Sequence, residues 1–222
     1  MQIDILTLFP EMFIGPFSKS IVKRSQDKGL VKINIHNLRN WATDNYKTVD
    51  DKPYGGGAGM VMKVDIIDRA LHDLMLKVKN KKLKVILLDA RGKTYDQKKA
   101  IQLSKLNQVI FIAGHYEGID YRVQKYLVDE VVSIGNFVLS GGEIPTMVLV
   151  DSIVRLIPGV IDPESLKEES FSERDTKYEK RETYIEYPQY TRPENYKGWK
   201  VPKVLLSGNH KEIEKWKKNL NN

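Results

Sequence analysis

Short runs of apolar, β-branched residues alternate with segments of helical period over the first 160 residues of this 222-residue chain. That alternation constrains the fold more than any other feature. "LKVILLD" (83–89) and "QVIFIAG" (108–114) are continuously apolar, as strands buried on both faces are. "IDILTLF" (3–9), "VKINIHNL" (31–38) and "YLVDEVVSIG" (126–135) read as further strands, the second half-buried because it alternates apolar and polar. Between them, "SKSIVKRSQDKG" (18–29) has a serine at its start and a glycine at its end, the marks of a capped helix. "VDIIDRALHDLMLKV" (64–78) places Ile67, Leu71, Leu74 and Val78 at helical spacing. "DQKKAIQLSKL" (96–106) and "PTMVLVDSIVRLIPG" (145–159) complete the set, the last beginning at Pro145. The pattern predicts an α/β fold, a parallel sheet flanked by helices on both faces.

The composition then shifts. Residues 162–186 are polar and highly charged, with no sustained apolar period, and read as a flexible linker. This divides the chain into a domain over 1–161, the linker over 162–186, and a small basic domain over 187–222 with a final helix near 210–220. From Lys197 to the end, seven lysines stand against Glu212 and Glu214, with Trp199 and Trp216 among them. Such a tail can contact phosphate and stack on a base. The net charge of +7 and pI near 9.3 agree with a nucleic-acid partner, and equally with a lysine-rich proteome. With no cysteine, disulfide, thiolate-metal and cysteine-nucleophile chemistry are excluded. No apolar run approaches the ~20 residues of a membrane helix. The start, "MQIDILTLFPEMF", reads as a first strand rather than a signal peptide, so a cytoplasmic address is expected.

Ligands of open parallel sheets bind at the carboxyl ends of strands. "DARG" (89–92), "GHYEGID" (114–120) and "GNFVLSGGEIP" (135–145) follow three of the strands. Their glycines let the backbone itself approach a ligand. The glycine fingerprint of dinucleotide sites is missing after the first strand, and no P-loop is present. "HYEG" holds half of a zinc-deaminase signature whose other half needs cysteines. His36, His72, His115 and His210 show no ligand spacing, and His36 and His72 are expected to be structural. The residues alone therefore predict a backbone-lined pocket for a small ligand and leave the reaction open. They leave "DDKPYGGGAGM" (50–60) open as well, which a long ordered turn would explain as readily as a close approach of two backbones.

Taken together and in order, "LTLFPEMF", "VDDKPYGGGAGMV", "GHYEGIDYR", "SIGNFVLSGGEIP", "VRLIPGV", "ESFS", "PQYTRP" and "VPKVLLSGNH" resemble the bacterial tRNA (guanine-N1)-methyltransferases of the SPOUT class. The resemblance covers almost the whole chain. It implies a deep trefoil knot in the first domain and a small, mainly helical C-terminal domain. It implies S-adenosylmethionine as methyl donor, Mg²⁺ as an assisting ion, and a homodimer with shared active sites. The implied substrate is tRNA carrying guanosine at position 37, just 3′ of the anticodon. Cofactor-binding positions carry over to Leu88, Asp89, Gly114, Tyr116, Glu117, Gly118, Ile134, Gly135, Phe137, Leu139, Gly141, Gly142 and Pro145. The catalytic positions fall on Glu169 as base, Arg155 as the cation near O6, and Asp50 as partner to Arg155 or to the substrate. The glycine loop would lie against cofactor and tRNA across the dimer interface.

Several positions depart from the family. Glu169 stands where the family has aspartate. Asn136–Phe137 replaces Asp-Tyr, and Asp89–Ala90 replaces Ser-Pro. The linker is longer, and the sequence stops soon after "KWKKNLNN", where family members continue with a basic helical stretch. Glu169 and the short tail define the rival expectation, a catalytically weak SPOUT-like RNA-binding protein, while the other replacements bear on cofactor contact alone. Methylation of ribosomal RNA or of a ribose hydroxyl is a third reading, disfavoured by "PYGGGAGM".

Overall fold

The computed structural model describes residues 1–76, 82–167, 169–171 and 185–219. By its internal contacts the chain divides into two compact units, Met1–Ile161 and Asp162–Asn222.

In the first unit, five strands form one sheet in which every pairing is parallel: β1 (Gln2–Thr7), β2 (Lys32–Asn37), β5 (Leu83–Thr94), β6 (Gln108–Ala113) and β7 (Glu130–Ser133). Their order is β2-β1-β6-β5-β7. The central strand β6 is buried at every position, as its unbroken apolar run requires. A short ladder, β3 (Asp50–Asp51) with β4 (Val61–Met62), brackets the glycine loop. The helices of this unit are α1 (Ile14–Phe17), α2 (Ser20–Asp27), α3 (Val64–Met75), α4 (Gln97–Ser104), α5 (Tyr121–Tyr126) and α6 (Glu143–Val154).

Two apolar cores cover the sheet, one on each face. On one side Leu149, Val150, Ile153 and Val154 of α6 pack with Ile3, Ile5, Phe111 and Val132. On the other, Ile66, Ile67, Leu71 and Leu74 of α3 pack with Leu6, Leu87, Ile110 and Ile112. The helical spacing read for 64–78 is thus the buried face of α3, with Val78 outside the described residues.

Three expectations are corrected. "YLVDEVVSIG" is not one strand: Tyr126 closes α5, and β7 begins at Glu130. "DARG" is not a loop but part of β5, whose pairing with β7 shifts register between Leu88 and Lys93. Gly92 makes that strand possible, because a Cβ there would lie 2.6 Å from the Val132 nitrogen. The last long helix starts at Glu143 and ends at Val154, so Pro145 is its third residue, where a missing N–H costs nothing.

The end of α2 follows its sequence more closely than the start. Gly29 takes φ +68°, and Leu30 N–H donates to Ser25 O at 3.0 Å, a Schellman closure. At the start, Ser18 Oγ instead donates to Gly15 O, and no side chain caps the helix.

Most of the expected linker lies outside the described residues. Its described parts are α7 (Pro163–Lys167) and Glu169–Phe171, where Ser170 Oγ accepts the Glu186 N–H at 3.0 Å. The second unit also holds the hairpin β8 (Asn195–Tyr196) and β9 (Trp199–Lys200), then α8 (Lys203–Leu206) and α9 (His210–Asn219). Trp216 is half-buried between Tyr187 and Tyr190, at ring distances of 6.4 and 6.3 Å. Trp199 is 73% exposed. Its ring lies edge-on to that of Tyr196 at 5.7 Å.

Candidate active site

A cleft of about 310 Å³ opens at the carboxyl ends of β6 and β7, beside the stretch of β5 where its register shifts. Pockets of this scale hold small ligands. Its walls come from three segments: 88–91, 114–119 and 132–142, with Pro145 beyond. All thirteen residues expected to bind cofactor, from Leu88 to Pro145, line it. Asp50, Arg155 and Glu169 do not. Asp50 pairs with Met62 in the β3–β4 ladder, Arg155 caps the end of α6 in the first unit, and Glu169 belongs to the second.

The cleft floor is a crossing of two backbones. Gly142 N–H donates to Gly114 O at 2.7 Å. A Cβ on Gly142 would sit 2.7 Å from Gly114 N and 2.8 Å from Ala113 Cα. The segment entering α6 can lie this close to the end of β6 only without a side chain. The pair Gly141–Gly142 is therefore a close approach and not merely a tight turn before a helix.

The 114–120 loop is fixed from the other side by the root of the glycine loop. Glu117 N–H donates to Met60 O at 3.1 Å, Met62 N–H to Gly118 O at 3.0 Å, and Asp120 N–H to Met62 O at 3.0 Å. The glycines of this loop have separate explanations. Gly55, Gly56, Gly57 and Gly59 all have φ between +80° and +125°, where other residues are strained. Only Gly59 is also crowded, against the Glu117 side chain. Gly55 and Gly56 face open space.

The departures from the family pattern are resolved in part. Asp89 does not present a bare charge to the cleft. Hydrogen bonds from the Arg91 guanidinium, ahead of a smaller opposing effect of burial, hold its carboxyl below the usual range. Phe137 lines the cleft, 54% exposed, with its ring against Gly135.

Sequence reasoning missed the polar support beneath the cleft. Glu143, 1% exposed at the first turn of α6, accepts a hydrogen bond from Thr7 Oγ1 at 2.8 Å. Thr7 Oγ1 in turn accepts the Phe9 N–H at 2.9 Å. His115 lines the cleft with its amide on Met62 Sδ at 3.2 Å and its ring 4.8 Å from that of Phe9. Its Nδ1 is buried without a hydrogen-bond partner, 3.7 Å from Glu143 Oε2. Arg91, Ser133 and Ser140 also line the cleft. Among the described residues, no group of three or more His, Cys, Asp or Glu could hold a metal ion, so none of these residues forms a cluster for the expected Mg²⁺. No helix among them is long and apolar enough to cross a membrane.

The fold and the cleft define an α/β protein, a parallel sheet flanked by helices with a glycine-rich cleft among its strands. The family described as tRNA (Guanine-1)-methyltransferase TrmD matches residues 1–222, and the chain belongs to that family. It is 52% identical over 219 residues to the tRNA (guanine-N(1)-)-methyltransferase of Carboxydothermus hydrogenoformans, covering 98% of this chain and 81% of that protein. The enzyme of the same name from Dictyoglomus turgidum is 52% identical, covering 98% and 84%. That of Bacillus pumilus is 49% identical, covering 98% and 86%.

Proposed function

We propose that this chain transfers a methyl group from S-adenosylmethionine to N1 of guanosine 37 in tRNA. The observation that carries the reading is the family match over the whole chain, joined to a cleft lined by all thirteen expected cofactor positions. We further propose that the first unit is knotted where the α6 entry crosses the end of β6, that the enzyme acts in the cytoplasm as a homodimer, and that the second unit helps bind tRNA.

The cofactor fits the cleft on structural grounds. Gly114, Gly141 and Gly142 carry no side chain to fill the cleft, while Ile134, Phe137, Leu139 and Pro145 supply apolar walls for a purine. Glu117 stands at the edge, where it can accept hydrogen bonds from ribose or the methionine ammonium. When bound, S-adenosylmethionine supplies an electrophilic methyl group on its sulfonium.

The remaining chemistry falls to the protein. Guanine N1 carries a proton at neutral pH, so its lone pair is not free. Glu169 takes that proton as general base. Negative charge then builds on O6, where the Arg155 guanidinium stabilises it. Glu169 and Arg155 belong to different units. Asp50 is assigned to orient Arg155 or the substrate. No step is routed through Mg²⁺.

The test is methyl transfer from radiolabelled S-adenosylmethionine to two tRNA transcripts, one with guanosine and one with adenosine at position 37. Label in the guanosine transcript alone supports the reading. No label in either, with cofactor still bound, replaces it with an RNA-binding role.

A further inference from the structure

Two segments at the carboxyl end of the sheet carry the same local device. In Asp89-Ala90-Arg91, Asp89 accepts the Arg91 backbone N–H at 2.9 Å, its Nε–H at 2.9 Å and its Nη2–H at 2.8 Å. In Asp120-Tyr121-Arg122, Asp120 accepts the Arg122 backbone N–H at 2.9 Å, its Nε–H at 2.9 Å and its Nη2–H at 2.6 Å. Each carboxylate grips one edge of a guanidinium two residues later and fixes its plane. The other edge, at Nη1, meets no acceptor among the described residues in either case. Both arginines stay more than half exposed, at 59% and 60%.

Such pairs do little for the fold. They join residues two apart, so they staple no distant segments, and exposed ion pairs contribute about 0–1 kcal/mol. What they do accomplish is orientation. An arginine held in one geometry loses less side-chain freedom when it binds an anion. The sites are also placed for a large ligand. Arg91 lines the cleft, and Arg122 is the second residue of α5, the helix that follows the 114–120 loop. Two exposed phenols stand in the neighbouring segments, Tyr121 beside Arg122 at the start of α5 and Tyr54 in the glycine loop. Tyr121 is 59% exposed and Tyr54 fully so.

We infer that Arg91 and Arg122 form a phosphate-binding arc for the RNA backbone beside the cleft, with Tyr121 and Tyr54 as stacking surfaces for unpaired bases. The inference rests on the functional reading above, since it takes tRNA as the ligand. The carboxylate–arginine pairs are locally neutral, so long-range attraction comes from the chain's net charge of +7 and the arc supplies direction. Phosphate contacts set register and carry no sequence information.

The experiment measures binding of a guanosine-37 tRNA transcript to the full chain across a salt series, for wild type, Arg91→Gln, Arg122→Gln, and each arginine changed to lysine. Each glutamine variant should weaken binding roughly tenfold. Its log–log salt slope should fall by about one. Lysine should recover the slope but only part of the affinity. For Arg122→Gln the KM for S-adenosylmethionine should stay within about twofold. Unchanged tRNA affinity and slope in both glutamine variants would overturn the arc. So would a loss confined to cofactor affinity in Arg91→Gln, which would assign that fork to the cofactor's carboxylate. The two readings separate in the wild type: absent methyl transfer sinks the functional reading, whereas the salt slopes come from binding alone and decide the arc.

Discussion

Gly142 and Gly114, twenty-eight positions apart, touch backbone to backbone through a 2.7 Å hydrogen bond, and no side chain fits between them. The cleft floor therefore depends on the absence of a single methyl group. Gly142→Ala should destabilise the first unit by about 1–3 kcal/mol through overpacking, a drop in Tm of roughly 2–12 °C. Titration with S-adenosylmethionine should show weakened binding as well. Gly29→Ala is the control. It meets open space but sits at φ +68°, so it should cost about 1–2 kcal/mol and leave cofactor affinity intact.

Removing the proposed base should cost rate more than binding. Glu169→Gln is expected to lower kcat by about 10²–10⁴, and Arg155→Ala by about 10²–10³. In both, the KM for S-adenosylmethionine should change little, as read from steady-state methyl transfer. Glu169→Asp restores the family residue and should stay within about tenfold of wild type. Full turnover in both damaged variants would remove these residues from the mechanism.

Acid should act through Asp4. This carboxylate is 1% exposed in β1 and takes hydrogen bonds from Gln2, Asn34 and Gln108 at 2.8–2.9 Å, with His36 Nε2 at 2.9 Å. Burial pushes its pKa up, but the four partners together outweigh burial and hold it below the ordinary 3.8. The unfolded chain therefore binds this proton first as pH falls. The stabilisation is complete above about pH 5 and is lost as pH drops through the folded pKa. Denaturant melts from pH 6 to 2 should show that loss in wild type and a flatter profile in Asp4→Asn. Asp4→Ala, which strands the donors, should cost about 1–3 kcal/mol at neutral pH.

The alkaline side has its own reporter. Tyr95 donates to or accepts from Ser152 Oγ on α6 at 2.7 Å, and burial pushes its phenol up to about 12 from an ordinary 10. The unfolded chain loses this proton first as pH rises. The contribution is full below about pH 10 and is lost as pH climbs through about 12. Urea midpoints in Tyr95→Phe should fall less steeply across that window than in wild type.

The parts of the molecule legible in the sequence are those whose signal is local. "QVIFIAG" is a buried central strand because its apolar run leaves no polar face. The face of α3 is written in the spacing of Ile67, Leu71 and Leu74. The short helix α5 escaped notice because only Val123 of its six residues is buried, so no period develops. "DARG" looked like a loop because its residues are polar, and only contact with Val132 reveals why Gly92 continues a strand. The three segments that line the cleft followed from where strands end, whereas the individual cofactor positions came from motif resemblance. Glu143 was out of reach of local reasoning altogether: its partner Thr7 is 136 positions away, and a buried carboxylate leaves no periodic trace.

The strand order also sets a timetable for synthesis. β1 is made first, yet one of its edges is filled only when Gln2 meets Gln108 of β6. At roughly 5–20 residues per second of translation, that edge stays open for about 5–20 seconds. During this time a strand carrying Ile3 and Ile5 has β2 on one side and nothing on the other. Pairings so distant in sequence form slowly even in a finished chain. The nascent chain therefore carries an adhesive edge through nearly half of its own manufacture, and slower translation would lengthen that exposure to misassembly.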